Sequence, residues 1–504
     1  MPHHPSTARK DSPVTDLHPD LLDLRAVASL AARDLVHLAN RDDFDRIEAT
    51  VERLAGCAHP IQLTGSTTTF DKATGEPLRH YSSIAEPLGR TLIACGNRRA
   101  TRCPSCSRVY AADTYQLIRA GLAGGKGTPD AVRTHPRVFV TLTAPSFGPV
   151  HNRPTTRTGK PFPCRCGTLH GADAPILGTP VDPVTYDYAG AVLFNAHAGA
   201  LWARFTTYLR REVAHAAGLT VKELRDHCRV SFAKVAEFQK RGLVHFHAIV
   251  RLDGPEGSTT TPPAWATTDL LTDAVRTAAD KVAVTVTGDS IGERVLRWGE
   301  QLDARVIRRP VDTDRDDTPL TDAAVAGYVA KYATKSAEGT GTIDRPLYCT
   351  RCKGRGRTST DDGDTECRSC DGTGLAEPIK DLKVAAHVRQ MIRTCWDLGR
   401  RVTDFADLKL TKWAHMLGFR GHFSTKSRRY STTLGTLRGV RRTWQSEQAR
   451  IRAGHPPIDP DTTLVVSDWR YLATGYTPGE ELLAQTVRDN RTAAQRLKRE
   501  GDMG

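Results

Sequence analysis

No apolar run in this 504-residue chain approaches the ~18 residues that a membrane-spanning helix needs. The opening stretch, "MPHHPSTARKDSPVTDLHPD", has no apolar core of the kind a secretory signal carries. Both absences argue against membrane insertion and export, so the expected location is cytoplasmic. No Gly-x-x-x-x-Gly-Lys-Ser/Thr run occurs either, and no helicase motor is inferred. Acidic residues are the minority charge, 57 against 71 Lys and Arg, which leaves the chain at +14. A basic excess of this size points to a polyanionic partner, with nucleic acid foremost.

What the chain does have is length enough for about three domains and twelve cysteines. In a reducing compartment such thiols suit metals better than disulfides. "CTRCKGRG" (Cys349 to Gly356) and "CRSCDGTG" (Cys367 to Gly374) repeat one pattern, Cys-x-x-Cys-x-Gly-x-Gly. Two close thiolate pairs, Cys349 with Cys352 and Cys367 with Cys370, match tetrahedral zinc. The glycines let the backbone curl so that amides approach the sulfurs. The boxes resemble those in the zinc region of the DnaJ chaperones. Only two boxes occur and no J-domain signature accompanies them, so the resemblance implies a metal knuckle and no chaperone activity. "CGNRRATRCPSC" offers Cys95, Cys103 and Cys106, with Cys57 as the best fourth ligand and His59 in reserve. "CRCGTLH" holds Cys164, Cys166 and His170, but no clear fourth ligand follows. Cys228 and Cys395 read as ordinary core cysteines.

The central text is "EFQKRGLVHFHAIVRLDG", Glu237 to Gly254. "RVSFAKVAEFQ" and "LVHFHAIVRL" read as two strands around a Lys-Arg-Gly turn, a hairpin. Alternation puts His245 and His247 on one face, ~7 Å apart, with Val244, Phe246 and Ala248 on the other. Upstream, "RVFVTLTA" alternates like a strand, with Thr141 and Thr143 on one face. Between these, "AGAVLFNAHAGALWARFTTYLRREVAHAAG" reads as a long helix ending at Gly218. Downstream, "LDARVIRR" reads as a strand and "LTDAAVAGYVAKYATKS" as a helix. Tyr328 and Tyr332 fall four apart on that helix, ~6 Å from each other, and Lys331 and Lys335 follow each by three. Val325, Tyr328, Val329 and Tyr332 form a stripe usual for a core, yet the tyrosines sit on its border, beside the lysines.

In this order the three motifs, "RVFVTLTAPSFGPVH", "EFQKRGLVHFHAIVRLDG" and "GYVAKYATKS", resemble those of the HUH endonucleases, the rolling-circle replication initiators. The nearer likeness is to the RepSA-like initiators of actinobacterial plasmids and integrative elements. "CGNRRATRCPSCS", "HMLGFRGHFSTKS" and "SRRYSTTLGTLR" extend it over roughly residues 50–450. The resemblance implies a nick-and-join reaction on one DNA strand. His245 and His247 would bind a divalent cation, Mg²⁺ or Mn²⁺. A third protein ligand is usual in that superfamily, and Glu237 is the candidate because the hairpin sets it across from the histidine strand. Tyr332 would be the first nucleophile, Tyr328 would perform the closing transfer, and Lys331 and Lys335 would supply a positive field. The product would be a 5′-phosphotyrosine and a free 3′-OH for a host polymerase, with a host helicase expected alongside.

Origin recognition needs further contacts. Residues 421–442, "GHFSTKSRRYSTTLGTLRGVRR", hold six Lys or Arg and no acid. Arg428, Arg429, Arg438, Arg441 and Arg442 suit phosphates, and Tyr430 could stack on a base. The partner is thus origin DNA, single- and double-stranded.

The expected fold is α+β: an HUH-type core, an antiparallel sheet flanked by helices, with zinc-binding inserts and a basic helical C-terminal region. The expected division is a disordered tail at 1–24, a helical and zinc-binding region at 25–115 and the nickase core at 116–345. A zinc-knuckle insert at 346–376, a basic helical DNA-binding region at 377–455 and a tail at 456–504 complete it. The competing reading is a zinc-dependent DNA-binding regulator without catalysis, which leaves the paired tyrosines idle. A metal hydrolase built on His-x-His is disfavoured, since no histidine occurs between His247 and His387.

Overall fold

The computed structural model describes residues 29–289, 291–307, 321–335, 340–360, 363–452, 454, 459 and 461–501. The tail expected at 1–24 lies outside them. In chain order the elements begin α1 (Leu30–Ala39), α2 (Phe44–Arg53), β1 (Ile61–Asp71), β2 (Pro77–Ser82), β3 (Thr91–Ile93) and α3 (Pro104–Ala123). Next come β4 (Arg137–Leu142), α4 (Tyr188–Ala216), α5 (Val221–His227), β5 (Arg229–Phe238), β6 (Val244–Asp253) and α6 (Thr268–Lys281). The hairpin β7 (Ala283–Gly288) and β8 (Gly292–Arg297) precedes β9 (Leu302–Val306), α7 (Asp322–Ala333), β10 (Arg357–Thr360) and β11 (Gly363–Glu366). The last elements are α8 (Ala386–Arg401), α9 (Leu410–Trp413), β12 (Ser424–Lys426), α10 (Leu434–Arg452), β13 (Thr463–Thr474) and α11 (Pro478–Gly501). The architecture is mixed α+β with antiparallel sheets.

The chain divides into two compact units, Met1–Arg108 with Gly454–Gly504, and Val109–Ala453. In the first, β1 is the hub of a sheet in which β13 and β2 flank it and β3 pairs with its start. The segment expected as a C-terminal tail therefore contributes a full strand. Its helix α11 packs on α1 and α2, with the Gly479 N–H donating to Asp34 at 2.6 Å.

The second unit is built on a five-stranded antiparallel sheet in the order β12-β5-β6-β4-β9. Alternation along β4, β5 and β6 sorts its two faces. Val138, Val140, Ala236, Val244, Phe246 and Ala248 join the large core, which also holds Leu201, Trp202 and Phe205 of α4. Phe139, Ala233, Val235 and Ile249 join a smaller core on the opposite face, with Leu117 and Ile118 of α3 and Val325, Ala326, Val329 and Ala333 of α7. This is the two-layered burial that a sheet apolar on both faces requires. One feature differs from expectation: the basic region at 377–455 is not wholly helical. Ser424–Lys426 pair with Ala233–Val235, adding an edge strand that covers the open side of β5.

Among the described residues no helix is long and apolar enough to cross a membrane.

Candidate functional site

The β5–β6 hairpin closes as its sequence requires. Gly242 takes a positive φ of 76°, and the Gln239 N–H donates to the Leu243 carbonyl at 2.9 Å. The register then sets Glu237 opposite His245 and Val235 opposite His247, while β4 sets Thr141 opposite His247. All four polar residues share the face that α7 covers. One carboxylate oxygen, Glu237 Oε2, lies 3.0 Å from His245 Nε2 and 3.1 Å from His247 Nε2. One ligand atom from each of the three residues falls within 4.8 Å of the others. Two imidazoles and a carboxylate are a donor set suited to a divalent cation.

The electrostatics keep the set ready to ligate. Burial lowers the His247 pKa, partly offset by the Glu237 hydrogen bond, so its imidazole is neutral and offers a lone pair at pH 7. Burial alone would push the Glu237 carboxyl up, but its hydrogen bonds with His245 and His247 outweigh this and hold it down at about 2. His247 is 3 % exposed. Its ring stacks on Phe139 at 5.8 Å and 6°, and its Nδ1 is 3.1 Å from Thr141 Oγ1. A hydrogen bond at the far nitrogen fixes ring orientation and tautomer.

The tyrosine helix is anchored at its start. Thr321 caps α7 by accepting from the Ala324 N–H at 3.2 Å. Asp322, in the first turn, pairs with the buried Arg137 of β4 at 3.0 Å. With the valines and alanines facing the sheet, both tyrosines reach the histidines from the border. Tyr328 OH is 3.1 Å from His247 Nε2. The Tyr332 ring centre lies 5.6 Å from that of His247 and 4.5 Å from that of Tyr328. Tyr328 is 37 % exposed, with its hydroxyl against His247. Burial of that end, and then the neighbouring Tyr332, raise its pKa. Tyr332 instead has the Lys335 ammonium 4.5 Å from its ring centre and Lys331 at 5.7 Å. Lys335 also lies 3.7 Å from Glu237 Oε1.

Sequence reasoning missed Asp303. Its strand was legible, but only the pairing of β9 with β4 sets it opposite Thr141, where its charge favours protonation of His247. Arg137 and Phe139 also escaped notice, because they look like ordinary strand residues.

The cysteines gather as their spacing predicts. Cys57, Cys95, Cys103 and Cys106 form one cluster, and Cys349, Cys352, Cys367 and Cys370 another. His59, the reserve ligand, is not in the first. Sulfur separations are 3.6 Å for Cys95–Cys106 and Cys57–Cys106, 3.8 Å for Cys57–Cys103 and 3.7 Å for Cys352–Cys370. Sulfurs bonded tetrahedrally to one zinc sit ~3.8 Å apart. The Gly356 and Gly374 amides donate to Cys352 and Cys370 at 3.3 Å, as the Gly-x-Gly boxes imply. Cys228 and Cys395 are isolated and buried, and burial raises both thiols.

The basic segment departs from expectation at one residue. Tyr430 is fully buried, its hydroxyl donating to the Ile118 carbonyl at 3.4 Å and its ring under the Arg251 guanidinium at 5.0 Å. A Cβ on Gly121 would lie 2.2 Å from that ring, so glycine makes room for it. A ring closed off in the core cannot stack on a base, and Tyr430 is corrected to a packing residue. Arg438 and Arg441 pair with the buried Asp113 at 2.9 and 2.6 Å, and Arg429 pairs with Glu256 at 3.2 Å. Arg428 and Arg442 are exposed, and α10 buries no residue along its length.

Residues 43–489 match the family model described as "RepSA: Replication initiator protein, pSAM2". A replication initiator protein of Streptomyces ambofaciens is 51 % identical over 473 residues, covering 93 % of this chain and 95 % of that relative. No solved structure matches. With a family match over most of its length and a relative this similar end to end, the chain belongs to the RepSA family of replication initiator proteins.

Proposed function

We propose that this initiator starts rolling-circle replication by nicking one strand of its origin with a tyrosine and later rejoining it, as an HUH-type nickase. The observation that carries the reading is the convergence of two tyrosines on a His-His-Glu set, with Tyr328 OH 3.1 Å from His247 Nε2. A regulator that only bound DNA would have no use for hydroxyls there. Glu237, His245 and His247 would hold Mg²⁺ or Mn²⁺, which supplies Lewis-acid polarisation of the scissile phosphate and stabilises its pentacovalent state.

The chain's own residues do the rest. With Nε2 on the cation, the neutral His247 ring would carry its proton on Nδ1 and donate it to Thr141 Oγ1, which would hold the ring in place. Lys335 and Lys331 set two positive charges beside the ring of Tyr332, where the negative phosphate would be attacked. Tyr332 Oη gives its proton to solvent and bonds to phosphorus as the bond from phosphorus to the 3′ oxygen breaks, and that oxygen takes a proton from solvent. The product is a 5′-phosphotyrosine with a 3′-OH available to a host polymerase, a host helicase opening the duplex. Tyr328 Oη would then attack the regenerated origin, and the 3′-OH so freed would attack the Tyr332 phosphotyrosine and release that phenol; because each step exchanges one phosphodiester for another, rejoining needs no nucleotide.

We assign the nicking core to 116–345, the zinc knuckle to 346–376 and origin contacts to 377–455. Arg428 and Arg442 are placed best for phosphates, and Arg429, Arg438 and Arg441 must exchange a carboxylate for one. Both cysteine clusters are assigned structural zinc. Metal analysis of purified protein should lose one zinc per chain on Cys352→Ser and one on Cys103→Ser. Unchanged zinc in folded variants would overturn these sites. The nicking reading is tested on a single-stranded origin oligonucleotide. Cleavage should stop with EDTA and return with Mg²⁺ or Mn²⁺; cleavage undiminished by EDTA would contradict it.

A further inference from the structure

The described residues hold one more convergence of ligating atoms, in the segment between Leu142 and Tyr188. That segment contains no helix or strand, although a connection so long normally needs something to order it. Four of its side chains meet: His151, Cys164, Cys166 and His170, with one ligand atom from each within 4.8 Å of the rest. His170 Nε2 lies 3.3 Å from His151 Nδ1 and 3.2 Å from Cys166 Sγ. The imidazole rings stand edge to face, at 86°. Two nitrogens bonded tetrahedrally to one zinc would sit ~3.3 Å apart.

The backbone around these residues is already organised. The His151 N–H donates to the Thr179 carbonyl, and the Gly178 N–H donates to the His151 carbonyl, both at 2.8 Å. The Cys164 sulfur is buried and accepts from the Asn152 N–H at 3.4 Å. The Cys-x-Cys-x-x-x-His run supplies three ligands, and the fourth comes from upstream, which explains why a search downstream of His170 finds none.

We propose that His151, Cys164, Cys166 and His170 form a third zinc site that clamps this segment in place. The segment matters because it forms one wall of a cleft of about 1160 Å³. Ser146, Val150 and Asn152 face Gln239 and Arg241 of the hairpin that carries Glu237 and the histidines. Val150 and Asn152 flank the ligand His151, so the metal fixes that wall directly. Between His151 and Leu177 only Cys164 is buried, so the cross-link stands in for an apolar core along that stretch.

The test uses the full chain and does not depend on nicking. In zinc-replete wild-type protein, Cys164 and Cys166 should react with iodoacetamide at least ~tenfold more slowly than after chelation, read by peptide mass spectrometry. His151→Asn should remove one zinc per chain and expose both thiols, while Cys57, Cys103, Cys352 and Cys370 stay protected. Equal alkylation of Cys164 and Cys166 in wild-type protein with and without zinc would overturn the site. So would His151→Asn protein with the wild-type zinc content. The alkylation arm needs no variant, so a failure of His151→Asn to fold leaves the proposal open to refutation.

Discussion

Origin cleavage should fall by more than about a hundredfold when His245 and His247 are both replaced by alanine, while duplex binding should change little. The two side chains supply both nitrogens of the candidate cation site, and Glu237 alone cannot replace them. Binding is expected to persist because the exposed Arg428 and Arg442, assigned to phosphate contacts, lie on other elements. His247 is buried against Phe139, so its removal also costs packing. A thermal melt should accompany the assay, and His245→Ala alone, at a less buried ring, separates the two effects. Undiminished nicking by folded double-variant protein would remove the metal assignment.

The tyrosines should divide the work. Tyr332→Phe keeps the ring and its contacts but removes the attacking oxygen, so the first nick and its covalent product should be lost. Tyr328→Phe should still nick, yet fail to release unit-length circles, because the closing transfer lacks its nucleophile. The order is the one the family resemblance implies, and the environments of the two phenols support it. The Tyr328 hydroxyl is tucked against His247 and its pKa is raised, which keeps it protonated. Tyr332 has a lysine ammonium over its ring. An i, i+4 pair on one helix lets both oxygens reach one phosphate by small shifts. If Tyr328→Phe abolishes the nick and Tyr332→Phe does not, the order is reversed.

Much of the site was legible because it rests on local periodicity. Alternation in "LVHFHAIVRL" is enough to put both histidines on one face, and the short Lys-Arg-Gly turn is enough to bring Glu237 across from them. Helical spacing is enough to pair the tyrosines. The Cys-x-x-Cys pairs announce their clusters for the same reason. What stayed hidden depends on contacts between distant segments. Tyr430 looks like an exposed aromatic in a basic run until Gly121 and Arg251, far away in sequence, close over it. The pairing of Arg438 and Arg441 with Asp113 is equally non-local. So are the strand β13 in the expected tail, whose partner is β1, and the edge strand β12 in a region that reads as helical. His151 gives no signal as a ligand, since its partners follow only after a connection without regular structure.

The most direct measurement is of the covalent product. Protein is incubated with Mg²⁺ and a single-stranded origin oligonucleotide labelled on the 3′ side of the nick, then digested with trypsin. Lys331 lies between the two tyrosines, so cleavage there puts Tyr328 and Tyr332 on different peptides. A labelled adduct is expected whose nucleotide is attached to Tyr332 and which is absent from Tyr332→Phe protein. Nicking without any covalent adduct, or an adduct on a residue outside this helix, would contradict it.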